Sequence, residues 1–454
     1  MRVGINGATA HRPATGCERY LFELLTHLCK VGREHEYTVY TKAPVFTGRL
    51  PGANVQERTC AYTSEMILTD FLREGGPEVD VYHMTWFGDV FNDFLPLRLA
   101  PASVLTVHDL MQYRYRSYFS DESLHAMHRA RCKRMIGAAD MIIAVSEYTR
   151  TDILRNFDVD PEKVRTVLEG ASTRLSNMTD DESIQKVRTK YGLSKPYLFY
   201  LATDYPHKNH KNLLLAFHHL VSERQRDVQL VFAGARFYLK GIPLLEELTR
   251  NLQRSNRLIR LEHVDDGELA VLYHGAELFV YPSLDEGFGL PLLEAMACGT
   301  PVASSRAASL PEVGGDAAVY FDPLDVRDMV EVIERALHDT NLRRELVDRG
   351  HRRCSELTWE KTAEQTLAVY ADAQGMAKKC RSPLDPAADA ATRNILSEVM
   401  NDCLGFEKNY LNLVKANEEK DRYLDMILNS RSVRYYGKLR DVARKILAMT
   451  RDRG

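Results

Sequence analysis

The stretch YPSLDEGFGLPLLEAMACGTPVAS, residues 281–304, carries the signals that decide the fold. The apolar run Leu278–Tyr281 predicts a buried strand, and a second strand is predicted to begin at Val302. Pro291 suits the first position of a helix, where its missing N–H has no partner to lose, and Gly299 suits the left-handed residue that ends one. The stretch therefore predicts a strand, a glycine-rich turn, a short helix and a further strand, which is one unit of a parallel α/β sheet.

Two carboxylates flank the turn of this unit. Glu286 stands at the end of the strand, and Glu294 projects from the helix about one turn in. The free N–H groups of the Gly287–Gly289 turn and the dipole of the helix favour a phosphate, whereas carboxylates accept hydrogen bonds from sugar hydroxyls. The pattern suits a nucleotide-sugar. The alternative is an ordinary αβ unit with glycines for its turn and two solvated glutamates.

A longer match favours the nucleotide-sugar. The strings EGFGLPLLEAMACGTPVASS and SLPEVGGDAAVYFDP (residues 309–323) resemble the signature of family 4 glycosyltransferases, which are retaining enzymes of the GT-B fold. In that family two glutamates with seven residues between them bind the donor, and they correspond here to Glu286 and Glu294. The resemblance implies transfer of a hexose to a hydroxyl of a glycan with retention at the anomeric carbon. It also implies that a donor phosphate oxygen accepts the acceptor's proton, so we nominate no protein base.

Length and composition fit a cytoplasmic protein with two domains and an appendage. The 454 residues are long for one domain, and the formal net charge of −3 predicts no overall attraction to nucleic acid. Eight scattered cysteines without a CxxC pair favour neither a zinc site nor a disulfide framework. No apolar run predicts a signal peptide or a membrane span.

Alternating strands and helices predict two Rossmann-like domains that face each other across a cleft. Ligands of open α/β sheets bind beyond the carboxyl ends of the strands, and the candidate residues fall there. The predicted parts are an acceptor domain (1–178) completed by a crossover helix (359–375), a nucleotide-sugar domain (179–358) and a helical extension (380–454).

The first domain offers two candidates. Gly16 opens a helix in HRPATGCERY, where backbone N–H groups can approach the donor diphosphate; a glycine needed only for the turn is the alternative. His108 in LTVHDL resembles the family's TxHD element, whose histidine reaches the donor sugar. His83 also ends a strand, where a structural role is the more common interpretation. No Gly-x-Gly-x-x-Gly follows the first strand, which argues against a nicotinamide enzyme.

The second domain offers a cation for the phosphates. DYPHKNHKNLLLAF resembles the family's Pro-Arg-Lys-Asn turn and aligns Lys208 with the lysine that binds the diphosphate. An ammonium group is a compact positive charge suited to a leaving phosphate. His207 stands where arginine is usual, so a charge there depends on pH. Lys211 is the second candidate, and solvated residues at a helix start are the alternative.

These assignments give a predicted role to each candidate. Lys208 and the Gly287–Gly289 turn are expected at the diphosphate, Glu294 at the ribose, and Glu286 and His108 at the donor sugar. We expect neither a metal nor another cofactor, because no Asp-x-Asp element ends a strand and protein cations and helix dipoles stabilise the leaving group in this family. The residues predicted to bind the donor are Gly16, His207, Lys208, Glu286, Gly287, Phe288, Gly289, Leu290 and Glu294, and those predicted to act in the transfer are His108, Lys208 and Glu286.

The C-terminal extension lies outside the resemblance. Apolar residues recur at heptad spacing through residues 395–428, with Asn417 in a core position, which is typical of a coiled coil in a homo-oligomer. A helix lying on the protein's own body is the alternative. Residues 431–450 form a basic amphipathic segment suited to the anionic inner face of the cytoplasmic membrane, or simply a solvated charged helix.

The sugar has no readable signature of its own. Overall likeness to O-antigen mannosyltransferases suggests mannose from GDP-mannose, with a glycan or lipid-linked saccharide of bacterial surface polysaccharide as acceptor. Two other functions stay open at this point: a nucleotide-sugar epimerase on the same fold, and a non-catalytic glycan-assembly subunit.

Overall fold

A computed structural model describes most of the chain up to Cys380. The described residues are 1–7, 16–41, 45, 52–59, 79–85, 102–119, 122–172, 181–203, 205–234, 243–262 and 264–380. The predicted domain boundary at residues 178 and 179, the predicted coiled coil at 395–428 and the basic segment at 431–450 lie outside the described residues.

The first sheet is parallel and has seven strands in the order β3-β2-β1-β4-β5-β6-β7. Its order grows outward from β1 on both sides, as in a doubly wound fold. The central strands are buried along their whole length because helices cover both faces. The strands are β1 Arg2–Asn6, β2 Glu36–Thr41, β3 Val55–Thr59, β4 Val81–Met84, β5 Ala102–Val107, β6 Met141–Ala144 and β7 Val164–Thr166.

The second sheet is also parallel, with six strands in the order β10-β9-β8-β11-β12-β13. Its strands are β8 Tyr197–Leu201, β9 Gln229–Ala233, β10 Leu258–Leu261, β11 Leu278–Tyr281, β12 Val302–Ser305 and β13 Ala318–Phe321. Strands β3 and β13 each lie at an edge of their sheet. The sequence VQERT of β3 has no apolar period because an edge strand is only partly buried.

Helices connect the strands. They are α1 Gly16–Val31, α2 Met111–Arg114, α3 Glu122–Ala138, α4 Glu147–Asn156, α5 Asp181–Tyr191, α6 His210–Ser222, α7 Pro243–Arg254, α8 Asp266–His274, α9 Leu290–Ala297, α10 Leu310–Gly314, α11 Val326–His338, α12 Thr340–Glu356 and α13 Trp359–Cys380. Among the described helices none is both long enough and apolar enough to span a bilayer.

Helix α13 packs on the first sheet, although it follows the second sheet in the chain. Trp359, Ala363 and Tyr370 belong to the same apolar core as Val3 in β1. His83 joins this contact, because its Nδ1 lies 2.7 Å from the Tyr370 hydroxyl and its ring is fully buried. The helix begins at Trp359 as predicted and continues past the predicted end at residue 375. His83 therefore has the structural role that its strand-end position suggested.

The deciding stretch has the predicted order of elements, with one difference. Pro291 occupies the second position of α9 rather than the first, since the helix begins at Leu290. Gly289 precedes the helix at φ +111° and Gly299 follows it at φ +70°, a backbone region that favours glycine. A Cβ on Gly289 would also lie 2.7 Å from the Leu310 side chain. The turn and the helix end thus both depend on glycine.

Candidate functional site

Glu286 and Lys208 form an ion pair at the carboxyl edge of the second sheet. Lys208 Nζ lies 2.6 Å from Glu286 Oε1, and both side chains are largely buried. Tyr281 OH and Ser283 Oγ also donate to Oε1, at 2.9 and 2.6 Å. Within the described residues these three donors all meet one oxygen, Oε1. Lys211, the second candidate, is exposed.

The environment keeps Glu286 ionised. Burial acts to raise its pKa, but the charge of Lys208 and the neighbouring donors outweigh burial, and the net pKa lies below the usual glutamate value. The carboxylate is therefore an acceptor at neutral pH. An acceptor beside a buried ammonium group suits a ligand that carries both a hydroxyl and a negative charge.

His207 contributes a neutral ring. Burial lowers the pKa of His207 to about 4, although Glu286 opposes that shift. The Tyr118 hydroxyl, from the first-sheet part of the chain, forms a hydrogen bond with Nδ1 of His207. Burial also raises the pKa of Tyr118 above its usual value, which keeps the phenol protonated. The expectation of a pH-dependent charge at His207 thus applies only to strongly acidic conditions.

Glu294 is held by two residues, one from helix α1 beside the first sheet and one from helix α8 beside the second. Arg19 Nη1 of helix α1 donates to Oε1, and the Tyr273 hydroxyl donates to Oε2 at 2.9 Å. Glu294 is 3% exposed, so an unpaired charge there would be costly. Arg19 supplies the compensating charge. The carboxylate is thereby fixed in one orientation at the middle of helix α9.

His108 lies at the end of β5 with both ring nitrogens engaged. Nε2 is 2.9 Å from the Thr85 carbonyl oxygen, and Nδ1 is 3.2 Å from Oε1 of the buried Glu169. The Tyr20 ring meets the imidazole edge to face, with centroids 4.6 Å apart. These contacts fix the plane of the imidazole.

The Gly287–Gly289 turn is pressed against the first-sheet part of the chain. A Cβ on Gly287 would lie 1.6 Å from the carbonyl oxygen of His108, a separation that only glycine avoids. Ser146 Oγ donates to the Gly287 carbonyl at 2.6 Å while it caps helix α4 by accepting from the Thr149 N–H. Ser146 is thus the N-cap of helix α4. Among the described residues, no protein acceptor bonds the backbone N–H groups of the turn.

A second group of contacts was not predicted. Arg114 of helix α2 donates to Asp285, and the Tyr148 hydroxyl donates to Asp285 Oδ1 at 3.1 Å. Glu312 accepts from the backbone N–H groups of Glu147 and Tyr148, at 2.8 and 3.2 Å, so that it stabilises the first turn of helix α4. The loop that carries Glu286 is thus tied to the first-sheet part of the chain on both sides.

The predicted residues therefore divide into those the structure brings together and those it does not. Lys208, His207 and Glu286 are in contact through side chains or charge, and His108 and Gly287 meet through the backbone. Phe288 is 5% exposed and packs in the apolar core around the second sheet, and Leu290 is partly buried against that core. Gly16 begins α1 and is exposed, and the loop before it lies outside the described residues.

Metal-ligating side chains are not grouped in the described residues. No group of three or more His, Cys, Asp or Glu side chains there has the geometry of a metal site. His128 Nε2 contacts Cys132 Sγ at 3.3 Å, whereas His125 Nε2 bonds the carbonyl oxygen of Tyr113 at 3.0 Å. Metal independence stays a prediction.

Two family models match the chain, one for each sheet. The model described as Glycosyltransferase Family 4 covers residues 14–175, and the model described as Glycosyl transferases group 1 covers residues 181–353. The chain is 31% identical over 373 residues to O-antigen chain mannosyltransferase B of Escherichia coli, a match that spans 79% of this chain and 96% of that protein. The chain belongs to the family 4 glycosyltransferases.

Other similarities agree with this family. The glycosyltransferase is 31% identical over 301 residues to the serotype-specific mannosyltransferase WbdA of Escherichia coli. This match spans 64% of this chain but only 36% of that longer protein. The crystal structure of Anabaena Alr3699/HepE in complex with UDP and glucose superposes with a TM-score of 0.63 over 82% of this chain and 99% of that chain, at 17% identity. The predicted GT-B fold, two Rossmann-like parts with a helical C-terminal part, is thereby confirmed.

Buried neutral histidines give this glycosyltransferase a measurable pH dependence. Burial lowers the pKa of His83 to about 3 and those of His128, His207 and His210 to about 4. In the unfolded chain a histidine takes up its proton near pH 6.5. The unfolded state therefore gains protons first as the pH falls, and the stability contributed by each neutral ring is complete above pH 6.5 and lost toward pH 4.

We expect replacement of His128, which lies outside the site, to isolate this effect. His128→Gln removes one titrating ring, so its free energy of unfolding should fall less than that of the wild type between pH 7.5 and pH 5. The expected difference is on the order of 1–2 kcal/mol. Urea unfolding of both proteins at the two pH values measures it. Identical pH dependence in the two proteins would show that His128 is not held neutral.

Proposed function

We propose that this glycosyltransferase is a retaining, metal-independent mannosyltransferase. It transfers mannose from GDP-mannose to a glycan or lipid-linked saccharide in the synthesis of a bacterial O-antigen. The choice of mannose is supported by the 31% identity to O-antigen chain mannosyltransferase B across 96% of that protein. The transfer takes place at the cytoplasmic side of the membrane, where sugar nucleotides are made. The proposed oligomer and membrane contacts rest on residues 395–428 and 431–450.

The observation that carries the proposal is the buried pair of Lys208 and Glu286 beside the glycine turn. Departure of the nucleoside diphosphate is the difficult step, because charge develops on the leaving phosphate as the glycosyl bond breaks. Preorganised cations and N–H groups stabilise such charge most effectively in a site from which water is excluded. Lys208 and the N–H groups of the Gly287–Gly289 turn supply them, at the start of helix α9.

The two glutamates then take different parts of the donor. Oε2 of Glu286 is placed for a sugar hydroxyl, since Oε1 already accepts from Lys208, Tyr281 and Ser283. Glu294, fixed by Arg19 and Tyr273, accepts from the ribose hydroxyls. Both carboxylates are paired with cations, which suits binding rather than the acid and nucleophile of a glycosidase. His108, which follows β5 of the first sheet, orients the donor sugar.

A donor screen tests the proposal. The purified full chain is mixed with GDP-mannose, UDP-glucose, UDP-galactose and the free nucleotides, and its melting temperature is measured. A ligand bound only by the folded state raises the melting temperature, so GDP-mannose and GDP should give the largest increase. Proton NMR of the product should then show the α anomer that retention requires. Stabilisation by none of these ligands, or a β product, would contradict the proposal.

Replacement of Glu294 is expected to weaken donor binding. Glu294→Gln keeps the shape of the side chain but removes the negative charge that strengthens its hydrogen bonds with the ribose hydroxyls. GDP should therefore bind about ten- to hundredfold more weakly in calorimetry. Glu331→Gln, which changes an exposed glutamate of the same part of the chain, is the matched control and should bind as the wild type does. Equal GDP affinity in Glu294→Gln and wild type would remove the ribose assignment.

A further inference from the structure

Exposed apolar side chains are concentrated beside the donor-binding residues. Tyr115 and Tyr205 are 42% and 47% exposed, and Leu284 is 36% exposed. Among the described residues these make up all of the exposed large apolar side chains except Leu324. Exposed apolar residues are normally scattered singly over a protein surface. Their concentration at one place therefore indicates a surface that binds something.

The tyrosines belong to a continuous stack of rings, which we call the ring patch: Tyr115, Tyr118, Tyr205 and His207. Tyr118 lies between the two exposed tyrosines, with centroids 6.4 Å from Tyr115 and 5.7 Å from Tyr205 and interplanar angles of 28° and 29°. His207 stacks on Tyr205 at 5.7 Å and on Tyr118 at 6.0 Å. The segments that follow β5 of the first sheet and β8 of the second thus contribute rings that are nearly parallel.

The ring patch adjoins the site of transfer. His207 directly precedes Lys208, whose ammonium group lies 2.6 Å from Glu286. The Leu284 N–H donates to the His207 carbonyl oxygen at 2.7 Å, which places the exposed leucine at the edge of the patch. Burial and the nearby charge of Asp285, the residue before Glu286, both raise the pKa of Tyr115. A molecule lying on the exposed rings would therefore be next to the sugar that Glu286 is proposed to hold.

We propose that the ring patch binds the acceptor saccharide, with Tyr205 and Tyr115 as the rings against which its sugar units pack. This inference rests on the proposed function, since the acceptor hydroxyl must reach the anomeric carbon of a donor sugar. A pyranose has C–H groups on its faces and hydroxyls around its rim. The C–H groups match the negative face of an aromatic ring, and the hydroxyls match the phenol groups at the ring edge.

The chemistry of the patch favours a saccharide over a lipid chain. Its exposed surface consists mainly of tyrosine rings, each of which carries a hydroxyl that needs a polar partner. The Arg114 guanidinium also lies over the Tyr115 ring, 5.3 Å from the centroid, and makes that side of the patch polar. An acyl chain offers these polar groups neither donors nor acceptors, whereas sugar hydroxyls supply both.

The test measures acceptor binding separately from donor binding. The full chain is saturated with GDP and titrated by calorimetry with methyl α-mannopyranoside and with an α-linked mannotriose. We expect the trisaccharide to bind, and to bind about five- to tenfold more weakly to Tyr205→Ala, because an aromatic contact of this kind is lost. Tyr205→Phe should retain most of the affinity. GDP affinity should be the same in all these proteins.

Leu324→Ala is the matched control. Leu324 is 74% exposed and lies outside the ring patch, so its truncation should leave mannotriose binding unchanged. The inference is overturned if neither mannoside binds the GDP-loaded wild type, or if Tyr205→Ala binds the trisaccharide as the wild type does. It is also overturned if Tyr205→Ala loses only its sedimentation with phosphatidylglycerol vesicles, which would assign the patch to a membrane. Absence of GDP binding by the wild type would instead refute the proposed function.

Discussion

Lys208→Ala is expected to lower kcat/KM for mannose transfer about 10²–10³-fold. The reason is that we propose Lys208 as the cation against the leaving diphosphate, and loss of one preorganised donor from a site of developing charge has a cost of this size. The measurement is the initial rate of transfer from GDP-mannose to a mannoside acceptor. Lys211→Ala removes an exposed lysine nearby and serves as the matched control, with a rate close to that of the wild type.

A loss of stability has to be separated from this loss of rate. Without Lys208, the buried Glu286 carboxylate has no counter-charge, and breaking a buried pair costs about 3–5 kcal/mol. The double variant Lys208→Met/Glu286→Gln removes both charges and should recover the melting temperature without recovering transfer. If the double variant transferred mannose at the wild-type rate, the phosphate assignment of Lys208 would be wrong.

A second large loss of transfer rate is expected from the addition of one methyl group at Gly287. Gly287→Ala places a methyl group where the His108 carbonyl oxygen lies, 1.6 Å from the new Cβ, with the carbonyl carbon at 2.7 Å. Both contacts are backbone atoms, which do not move aside as a flexible side chain does. The turn must therefore shift away from His108, and a displacement of about 1 Å in a positioned site lowers a rate about 10²-fold.

Gly137→Ala is the control for this substitution. Gly137 lies in helix α3, and a Cβ there would meet nothing within 4 Å, so this variant should transfer at the wild-type rate and be stabilised by up to about 1 kcal/mol. Circular dichroism checks that Gly287→Ala is folded. Wild-type transfer by folded Gly287→Ala would mean that the contact between the turn and His108 is not needed for the reaction.

The local part of the site could be predicted from the sequence. The strand, turn and helix around Glu286 follow from residues that are neighbours in the chain, and Gly299 has the left-handed backbone that its position suggested. The family resemblance placed Lys208 and Glu286 at one donor site but did not pair their side chains. They are 78 residues apart, and the structure shows that they meet.

Contacts between the two sheets could not be predicted in the same way. Arg19 and Glu294 are 275 residues apart, and Arg114 and Asp285 are 171 residues apart. No local period encodes such pairs, because they depend on how the sheets are oriented. The role of Glu312 could not be predicted either. In sequence, a carboxylate that stabilises the start of a helix elsewhere in the chain resembles any surface glutamate.

The central claim is that the protein grips a pyrophosphate ester through Lys208 and the Gly287–Gly289 turn. Calorimetric titration with GDP and with GMP tests it most directly, because the two ligands differ only in the phosphate that these groups would bind. The wild type should bind GDP at least about tenfold more tightly than GMP, since hydrogen bonds to charged groups contribute on this scale, and Lys208→Ala should lose most of that difference. Equal affinity of the wild type for GDP and GMP would contradict the account.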